Sequence, residues 1–290
     1  MKTWHRGRFS DRQSELVADW FGDVRLLADM SWDLVDTVVL DVDSGRGRIV
    51  VKAAGAGNRH IGREITAYEG FTTVLERTGR ASLLLHHDRD ANIFAIRYLE
   101  GSLVEGSDAE FVADTYHQAG ILLRAFHDQA QRIDPDWDSA AVAKSLAWLD
   151  KPHRIQPDHA AKLRTILLDH RPRPVPVVPT HGDWQPRNWL IGDGIVKVID
   201  FGRFAWRPAV TDFNRLAVQQ WRTDPSLEQA FFLGYGSDPR TPELSTMTAI
   251  HEAIGTAAWA YQVGDVSFEN QGHRMVAEAL DIFDDQGPTK

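Results

Sequence analysis

The residues best suited to chemistry lie in one stretch, PTHGDWQPRNWLIGDGIVKVIDFGRFAWRPAVTD, from Pro179 to Asp212. A short apolar run, Val175 to Val178, ends at Pro179 and reads as a buried strand entering a loop. The loop carries His181-Gly182-Asp183, and Asn188 follows the aspartate by five positions. Two apolar strands come next, Trp189 to Ile191 and Ile195 to Ile199, joined by the turn Gly192-Asp193-Gly194. The second strand delivers Asp200-Phe201-Gly202. A tight hairpin returns the chain to where it started, so this spacing predicts that Asp183, Asn188 and Asp200 surround one point. One carboxylate there can position a hydroxyl, while an amide and a second carboxylate can hold Mg²⁺ between phosphate oxygens. Those are the parts phosphoryl transfer asks of a protein, because its catalysis is mostly positioning and charge neutralisation.

The pattern H-G-D-x4-N, with I-D-F following at this distance, resembles the aminoglycoside phosphotransferase family. That family belongs to a wider group of protein-kinase-like small-molecule kinases, which includes the choline, fructosamine and homoserine kinases. The resemblance implies an α+β, two-lobed protein-kinase-like fold. Residues 1–98 would form an N-terminal nucleotide-binding lobe on a small antiparallel sheet, and 99–290 a mainly helical C-terminal lobe for catalysis and acceptor binding. The implied reaction moves the γ-phosphoryl of ATP or GTP to a hydroxyl, with Asp183, Asn188 and Asp200 as catalytic residues. Asp183 would accept or orient the hydroxyl proton, and Asn188 and Asp200 would ligate Mg²⁺. His181 is then a structural donor rather than the base. Asp212, in the first turn of the next helix, suits the helix dipole, and the resemblance adds hydrogen bonds from the catalytic loop.

The elements that must position these groups can be read upstream. Ser10 with Gln13 makes a capping box for a first helix whose face carries Leu16, Val17, Trp20 and Phe21. Val24 to Ala28 and Asp36 to Val42 read as strands around the loop Asp29-Met30-Ser31-Trp32-Asp33, and Arg48 to Ala53 as a third. Lys52 alternates with apolar neighbours on that strand, and a buried ammonium needs a partner. The next helix, roughly Arg59 to Arg77, offers Glu64. Kinases place a lysine and a glutamate on these two elements, so the resemblance makes Lys52 the holder of the α- and β-phosphates and Glu64 its anchor. The loop between the first two strands should cover the phosphates. It contains no glycine, although phosphate-covering loops usually do; the resembled family often has a serine-bearing loop there, and Ser31 is the match.

Leu83 to His87 and Ile93 to Tyr98 complete the predicted sheet. Arg97-Tyr98-Leu99-Glu100-Gly101 resembles the segment joining the lobes of a kinase, which makes Arg97 and Leu99 implied contacts to the nucleotide base. Ser107 and Glu110 read as the cap of a long helix ending near His127. Further helices are predicted near Ala140–Leu149, His159–His170, Pro242–Gly264 and Ser267–Phe283. Trp206 and Trp221 read as core rather than as a lid. Gly55-Ala56-Gly57 leads into His60 and does not complete G-x-G-x-x-G, and no G-x-x-x-x-G-K-[ST] occurs, which excludes a Walker-type ATPase.

Composition narrows the classes. The 290 residues allow one large domain or two modest ones, and 43% hydrophobic with 25% charged is ordinary for a globular chain. No apolar run approaches the roughly 18 residues of a membrane span, and the basic N-terminus lacks the apolar core of a secretory signal. A cytoplasmic enzyme is the expectation. Without cysteine, disulfides and thiolate chemistry are excluded. A net charge of −9 argues against nonspecific nucleic-acid binding, and no obligate protein partner is evident. Asp224, Glu228, Glu252, Asp265 and Glu269 in the C-terminal third suggest an amine-bearing acceptor, such as an aminoglycoside or another antibiotic. The alternatives are a metabolic kinase for an amino sugar, choline-like amine or amino acid, and a nucleotide-binding regulator without turnover. The regulator should lack a catalytic residue, and Lys52, Glu64, Asp183, Asn188 and Asp200 are all present.

Overall fold

The computed structural model describes residues 4–32 and 35–286, so Asp33 of the predicted phosphate-covering loop lies outside the described residues. The protein has an α+β fold with a five-stranded antiparallel sheet lobe and a helical lobe. By packing, the chain divides into two compact units. The first runs up to Gln129 and takes in Pro179–Ala205 and Asp224–Gly236; the second comprises Ala130–Val178, Trp206–Thr223 and the chain from Ser237 onward.

In the first unit, Ser10 opens α1 (Asp11–Phe21) as predicted. Its hydroxyl accepts the Gln13 N–H at 3.3 Å, and the Gln13 amide oxygen accepts the Ser10 N–H at 3.1 Å. The Gln13 amide nitrogen then donates to Ala54 O and Ala91 O, at 3.1 and 2.8 Å, which pins the helix to the sheet. The strands are β1 (Arg25–Asp29), β2 (Val38–Asp43), β3 (Arg48–Ala53), β4 (Leu84–Asp88) and β5 (Ile93–Arg97), in the order β1-β2-β3-β5-β4. Alternation gives the sheet two faces. Leu40, Val42, Ile49, Val51, Ala53, Ile93 and Ala95 pack with Phe9, Leu16 and Val17. The opposite face carries Val39, Lys52 and Phe94 in one cross-strand row.

Two helices replace the single one predicted over Arg59–Arg77: α2 (His60–Gly70) and the one-turn α3 (Thr73–Glu76). Thr72 makes the break. Its hydroxyl donates to Tyr68 O at 3.2 Å and its amide to Ala67 O at 3.1 Å, competing with the next helical turn just after the weak helix former Gly70. A similar local competition delays α4 (Ala113–His127), which starts later than the Ser107–Glu110 spacing predicts. Ser107 Oγ donates to Val104 O at 2.8 Å and Glu110 Oε2 accepts the Gly106 N–H at 2.7 Å, so these residues close their own turn. The short β6 (Ser102–Leu103) precedes it.

The second unit takes over with β7 (Arg132–Asp134), α5 (Trp137–Leu149), α6 (Pro157–Asp169) and β8 (Val175–Thr180), the last two strands pairing Arg132 with Val177. Back in the first unit, β9 (Trp189–Gly192) and β10 (Ile195–Val198) form the predicted hairpin, with β6 on its β9 edge. After β11 (Ala205–Arg207) come a 3₁₀ turn at Ala209–Asp212 and the short helices α7 (Asn214–Val218) and α8 (Gln220–Thr223). Trp221 is buried, as expected of core, and Trp206 lies half-buried under the Arg132 guanidinium, 4.4 Å from its ring centre. α9 (Pro225–Tyr235) packs on α4 within the first unit. α10 (Pro242–Val263) and α11 (Val266–Gln286) complete the second, where Ile250, Ile254 and Ala257 bury against Val142, Leu163, Ile166, Met275 and Leu280. No helix among the described residues is long and apolar enough to cross a membrane.

The α4–α9 contact depends on two glycines. A β-carbon at Gly120 would overlap the Phe231 carbonyl oxygen and stand 2.8 Å from Tyr235 N; one at Gly234 would overlap His117 O and stand 3.1 Å from Ile121 N. Both obstacles are backbone, which cannot rotate away. Gly234→Ala is therefore expected to destabilise by about 2–3 kcal/mol, the upper range for overpacking. Urea unfolding checks this, and an unchanged midpoint would contradict such a close helix approach.

Candidate active site

Alternation along β3 turns Lys52 away from the core formed by Ile49, Val51 and Ala53. Glu64, on the second turn of α2, receives its ammonium on both oxygens, at 2.8 and 3.0 Å. A third oxygen meets the same nitrogen, Asp200 Oδ1 at 3.1 Å. Lys52 and Glu64 are 8% and 2% exposed, whereas the Asp200 carboxylate is 50% exposed. Burial pushes the Glu64 carboxyl up to about 7, outweighing the Lys52 ammonium that favours its charged form. Burial also opposes the charge on Lys52, but Asp200 and Glu64 hold its pKa above the ordinary lysine range. Asp200 shifts the other way: burial works against its ionisation, yet Lys52 beside it keeps the carboxyl below its usual value. Its backbone sits in the left-handed region, at φ 65°, which aspartate tolerates better than most residues.

The loop from His181 to Asn188 leaves β8 at Thr180, whose hydroxyl donates to Ala205 O at 2.7 Å, and turns at Gly182 with φ 82°. His181 Nε2 lies 3.0 Å from Ile199 O, and Nδ1 accepts the Asp183 N–H at 3.3 Å. A carbonyl can only accept, so Nε2 carries the proton and the neutral ring is a strut between loop and hairpin. This matches the structural role expected for it.

A 3₁₀ turn at Pro186–Asn188 brings three donors onto Asp183. Gln185 Nε2 reaches Oδ1 at 2.6 Å, while Arg187 Nη2 and Asn188 Nδ2 reach Oδ2 at 2.5 and 2.9 Å. Asn188 Nδ2 also donates to Asp183 O at 2.8 Å, and the Ile199 N–H returns to Asn188 O at 3.0 Å. The hairpin pairs Trp189 with Val198, so Asp200 emerges beside the loop that holds Asp183. The Asp183 charge acts on the Asp200 carboxyl at this range. Trp184 and Phe201, both fully buried, pack their rings on His181, and the fully buried Trp189 packs on Trp184.

Lys52, Glu64 and Asp200 thus form one bonded group, and Asp183 with Asn188 another, all within the first unit. Gln185 and Arg187 were not anticipated; only their place inside the H-G-D-x4-N spacing could have flagged them. The metal question turns on donor chemistry. Both hydrogen bonds of Asn188 Nδ2 go to Asp183, which leaves Asn188 Oδ1 without a hydrogen-bond partner among the described residues, near the half-exposed Asp200 carboxylate. Two hard oxygens, completed by phosphate and water, fit Mg²⁺. No group of three or more His, Cys, Asp or Glu residues able to hold a metal occurs among the described residues.

The other expected contacts, Ser31, Arg97 and Leu99, show no hydrogen bond to these five among the described residues. Ser31 Oγ accepts the Val39 N–H at 3.0 Å and Ser31 N donates to Asp29 Oδ1 at 3.0 Å, which ties Ser31 to β1 and β2. Arg97 sits on the sheet face opposite Lys52, paired with Ile49; its N–H is taken by Leu83 O at 2.9 Å and its carbonyl by the Ser82 hydroxyl. Leu99 has neither backbone group hydrogen-bonded among the described residues. The acids that suggested a cationic acceptor mostly have internal duties. Asp224 caps α9 through the Ser226 N–H at 2.9 Å, and Asp265 accepts the Phe268 N–H at 3.0 Å. Glu252 pairs with the buried Arg215 at 2.7 Å, and Glu269 faces Arg154 at 3.6 Å.

Comparison with known proteins places this geometry in a family. The model of the phosphotransferase enzyme family, APH, matches residues 31–245. No curated protein sequence matches the chain. Among solved structures, the choline kinase LicA from Streptococcus pneumoniae is 16% identical, with a TM-score of 0.66 over 93% of this chain and 99% of that one. The aminoglycoside phosphotransferase APH(4)-Ia, in a ternary complex with ADP and hygromycin B, is 14% identical, with a TM-score of 0.63 over 95% and 99%. Spectinomycin phosphotransferase APH(9)-Ia, with ADP and spectinomycin, is 13% identical, with a TM-score of 0.57 over 95% and 93%. At these identities the structures establish the fold alone. Together with the family match across most of its length, they leave one conclusion: the chain belongs to the phosphotransferase enzyme family.

Proposed function

We propose that this protein transfers the γ-phosphoryl group of ATP or GTP to a hydroxyl of a small molecule. The observation that carries this reading is the joint contact of Lys52 Nζ with Glu64 and Asp200, which ties a phosphate-binding ammonium to a metal-binding carboxylate. Nucleotide binding falls to residues 1–98 and catalysis with acceptor binding to 99–290, a division by task. Lys52 holds the α- and β-phosphates, Glu64 keeps it in place, and the loop bearing Ser31 covers them. The base meets the Arg97–Leu99 segment, where both backbone groups of Leu99 are open. Asn188 and Asp200 would hold Mg²⁺, which when bound neutralises charge on the phosphate oxygens. Asp183 receives the acceptor hydroxyl. Its carboxylate already accepts three hydrogen bonds, which suits orienting the hydroxyl and taking its proton late in a loose transition state.

For the acceptor, support comes from neighbours named for choline, hygromycin B and spectinomycin, and from the net charge of −9. These favour an amine-bearing molecule, either an antibiotic, whose phosphorylation would confer resistance, or a metabolic amine. The reaction belongs in the cytoplasm, where nucleoside triphosphate and Mg²⁺ are at hand.

Metal dependence tests the nucleotide half of this reading. ATP or GTP should stabilise the protein only with Mg²⁺ or Mn²⁺, by about 2.7 kcal/mol at a hundredfold excess over Kd, and Asp200→Ala should abolish the effect. Equal stabilisation in EDTA, for wild type and variant alike, would remove Asp200 from the metal site.

A further inference from the structure

His60 stands at the first position of α2, one helical turn before Glu64, so the two side chains share a face. Both face the Asp200–Gly202 segment. Glu64 reaches it through Lys52, whose ammonium bonds Asp200 Oδ1 at 3.1 Å. His60 reaches it directly, with Nδ1 2.9 Å from Gly202 O. A carbonyl accepts, so Nδ1 is the protonated nitrogen and donates. The packing is close as well: a β-carbon at Gly202 would lie 3.3 Å from Asp200 Oδ1, 3.4 Å from His60 Cβ and 3.6 Å from Glu64 Oε2.

The base of this contact is itself anchored. Asn58 Oδ1 accepts the His60 N–H at 2.7 Å, and Asn58 Nδ2 donates to Asp36 Oδ1 and Thr37 Oγ1 at 2.6 and 3.1 Å. Asn92 Nδ2 then donates to Asn58 O at 3.1 Å. The start of α2 is therefore fixed to the approaches of β5 and β2. Asp200, by contrast, occupies the left-handed backbone region, φ 65°, and must be held there by its surroundings.

We propose that His60 is a positioning residue for the metal-binding carboxylate: through the Gly202 carbonyl it fixes the backbone on which Asp200 stands. This rests on the phosphotransferase reading above. Lys52 restrains the Asp200 side chain, and His60 restrains the peptide beneath it. Neither restraint replaces the other, because a carboxylate held at one oxygen can still swing if its backbone turns. Partners that orient a metal ligand in this way typically account for about 10–100-fold in metal affinity.

Three variants separate this role from simple packing. His60→Asn places an amide nitrogen where Nδ1 stands, His60→Gln places one nearer the position of Nε2, and His60→Ala has no donor. The first measurement is the Mg²⁺ concentration giving half-maximal thermal stabilisation at fixed ATP. The second is hydrogen exchange of the Ile199–Phe204 amides without nucleotide. His60→Ala and His60→Gln should raise the Mg²⁺ midpoint about tenfold or more and speed exchange in that segment, while His60→Asn stays near wild type in both. If His60→Ala does not fold, the Asn and Gln pair carries the comparison. A wild-type Mg²⁺ midpoint in His60→Gln, or equal losses in His60→Asn and His60→Gln, would overturn the inference while leaving the phosphotransferase reading intact. A wild type that shows no metal-dependent response to ATP or GTP would overturn that reading and this one with it.

Discussion

Asp183→Asn is expected to lower kcat by about 10²–10⁴-fold, the usual scale of a general acid–base contribution, while nucleotide-dependent stabilisation survives. The two functions separate because the groups do. The Asp183 carboxylate accepts from Gln185, Arg187 and Asn188 of its own loop, whereas Lys52, Glu64 and Asp200 form the bonded set assigned to nucleotide and metal. The substitution keeps the shape but exchanges one acceptor oxygen for a donor. Arg187 and Asn188 both need an acceptor on the Oδ2 side, so the new amide nitrogen faces Gln185, whose own amide can turn to accept it. The loop should therefore hold and the loss should be chemical. Turnover on an identified acceptor, measured beside ATP-dependent melting, checks both halves. Wild-type turnover in this variant would remove Asp183 from its assigned role.

Lys52→Met should destabilise the protein by about 3–5 kcal/mol near pH 8, the penalty for leaving one partner of a buried ion pair uncompensated. It should also abolish nucleotide stabilisation. The sign of the pH dependence follows from Glu64, whose folded pKa, about 7, lies above the ordinary glutamate value of 4.5. A raised pKa means that its favourable contribution is present below about 4.5 and is lost as pH rises through about 7. Removing Lys52 takes away the cation that favours the Glu64 carboxylate, so that pKa rises further and the variant keeps Glu64 protonated to higher pH. The deficit relative to wild type should therefore be smaller near pH 5.5 and grow toward pH 8.5. Urea unfolding across this range provides the measurement. A deficit independent of pH would mean that Glu64 does not titrate inside the pair.

Much of this site was legible in the sequence, for identifiable reasons. Lys52 could be assigned to its face because strand alternation among Ile49, Val51 and Ala53 leaves one choice. The β9–β10 hairpin formed where its turn predicts, and so did the Ser10–Gln13 capping box. What stayed hidden depends on chain return or local competition. Gln185 and Arg187 look like solvated loop residues until the 3₁₀ turn folds them onto Asp183. The His60 ring meets Gly202 O, which comes from far along the chain. The end of α2 hinges on the Thr72 hydroxyl finding Tyr68 O, a contact no periodicity reports. α9, which Asp224 caps, was not anticipated. Composition says little about where the acids point. It counts Glu252 and Glu269 but cannot show that Arg215 and Arg154 already meet them.

The central claim is phosphoryl transfer, and the most direct measurement follows the phosphoryl group itself. ATP or GTP labelled at the γ-phosphorus is incubated with the protein, Mg²⁺ and a panel of aminoglycosides, other antibiotics, amino sugars, choline-like amines and amino acids. Asp183→Asn serves as the matched blank. The account predicts that label moves to a hydroxyl of one class of amine-bearing acceptor, with wild type but not with the variant, and that EDTA stops it. Label released only to water, or transfer of equal extent by Asp183→Asn, would contradict it.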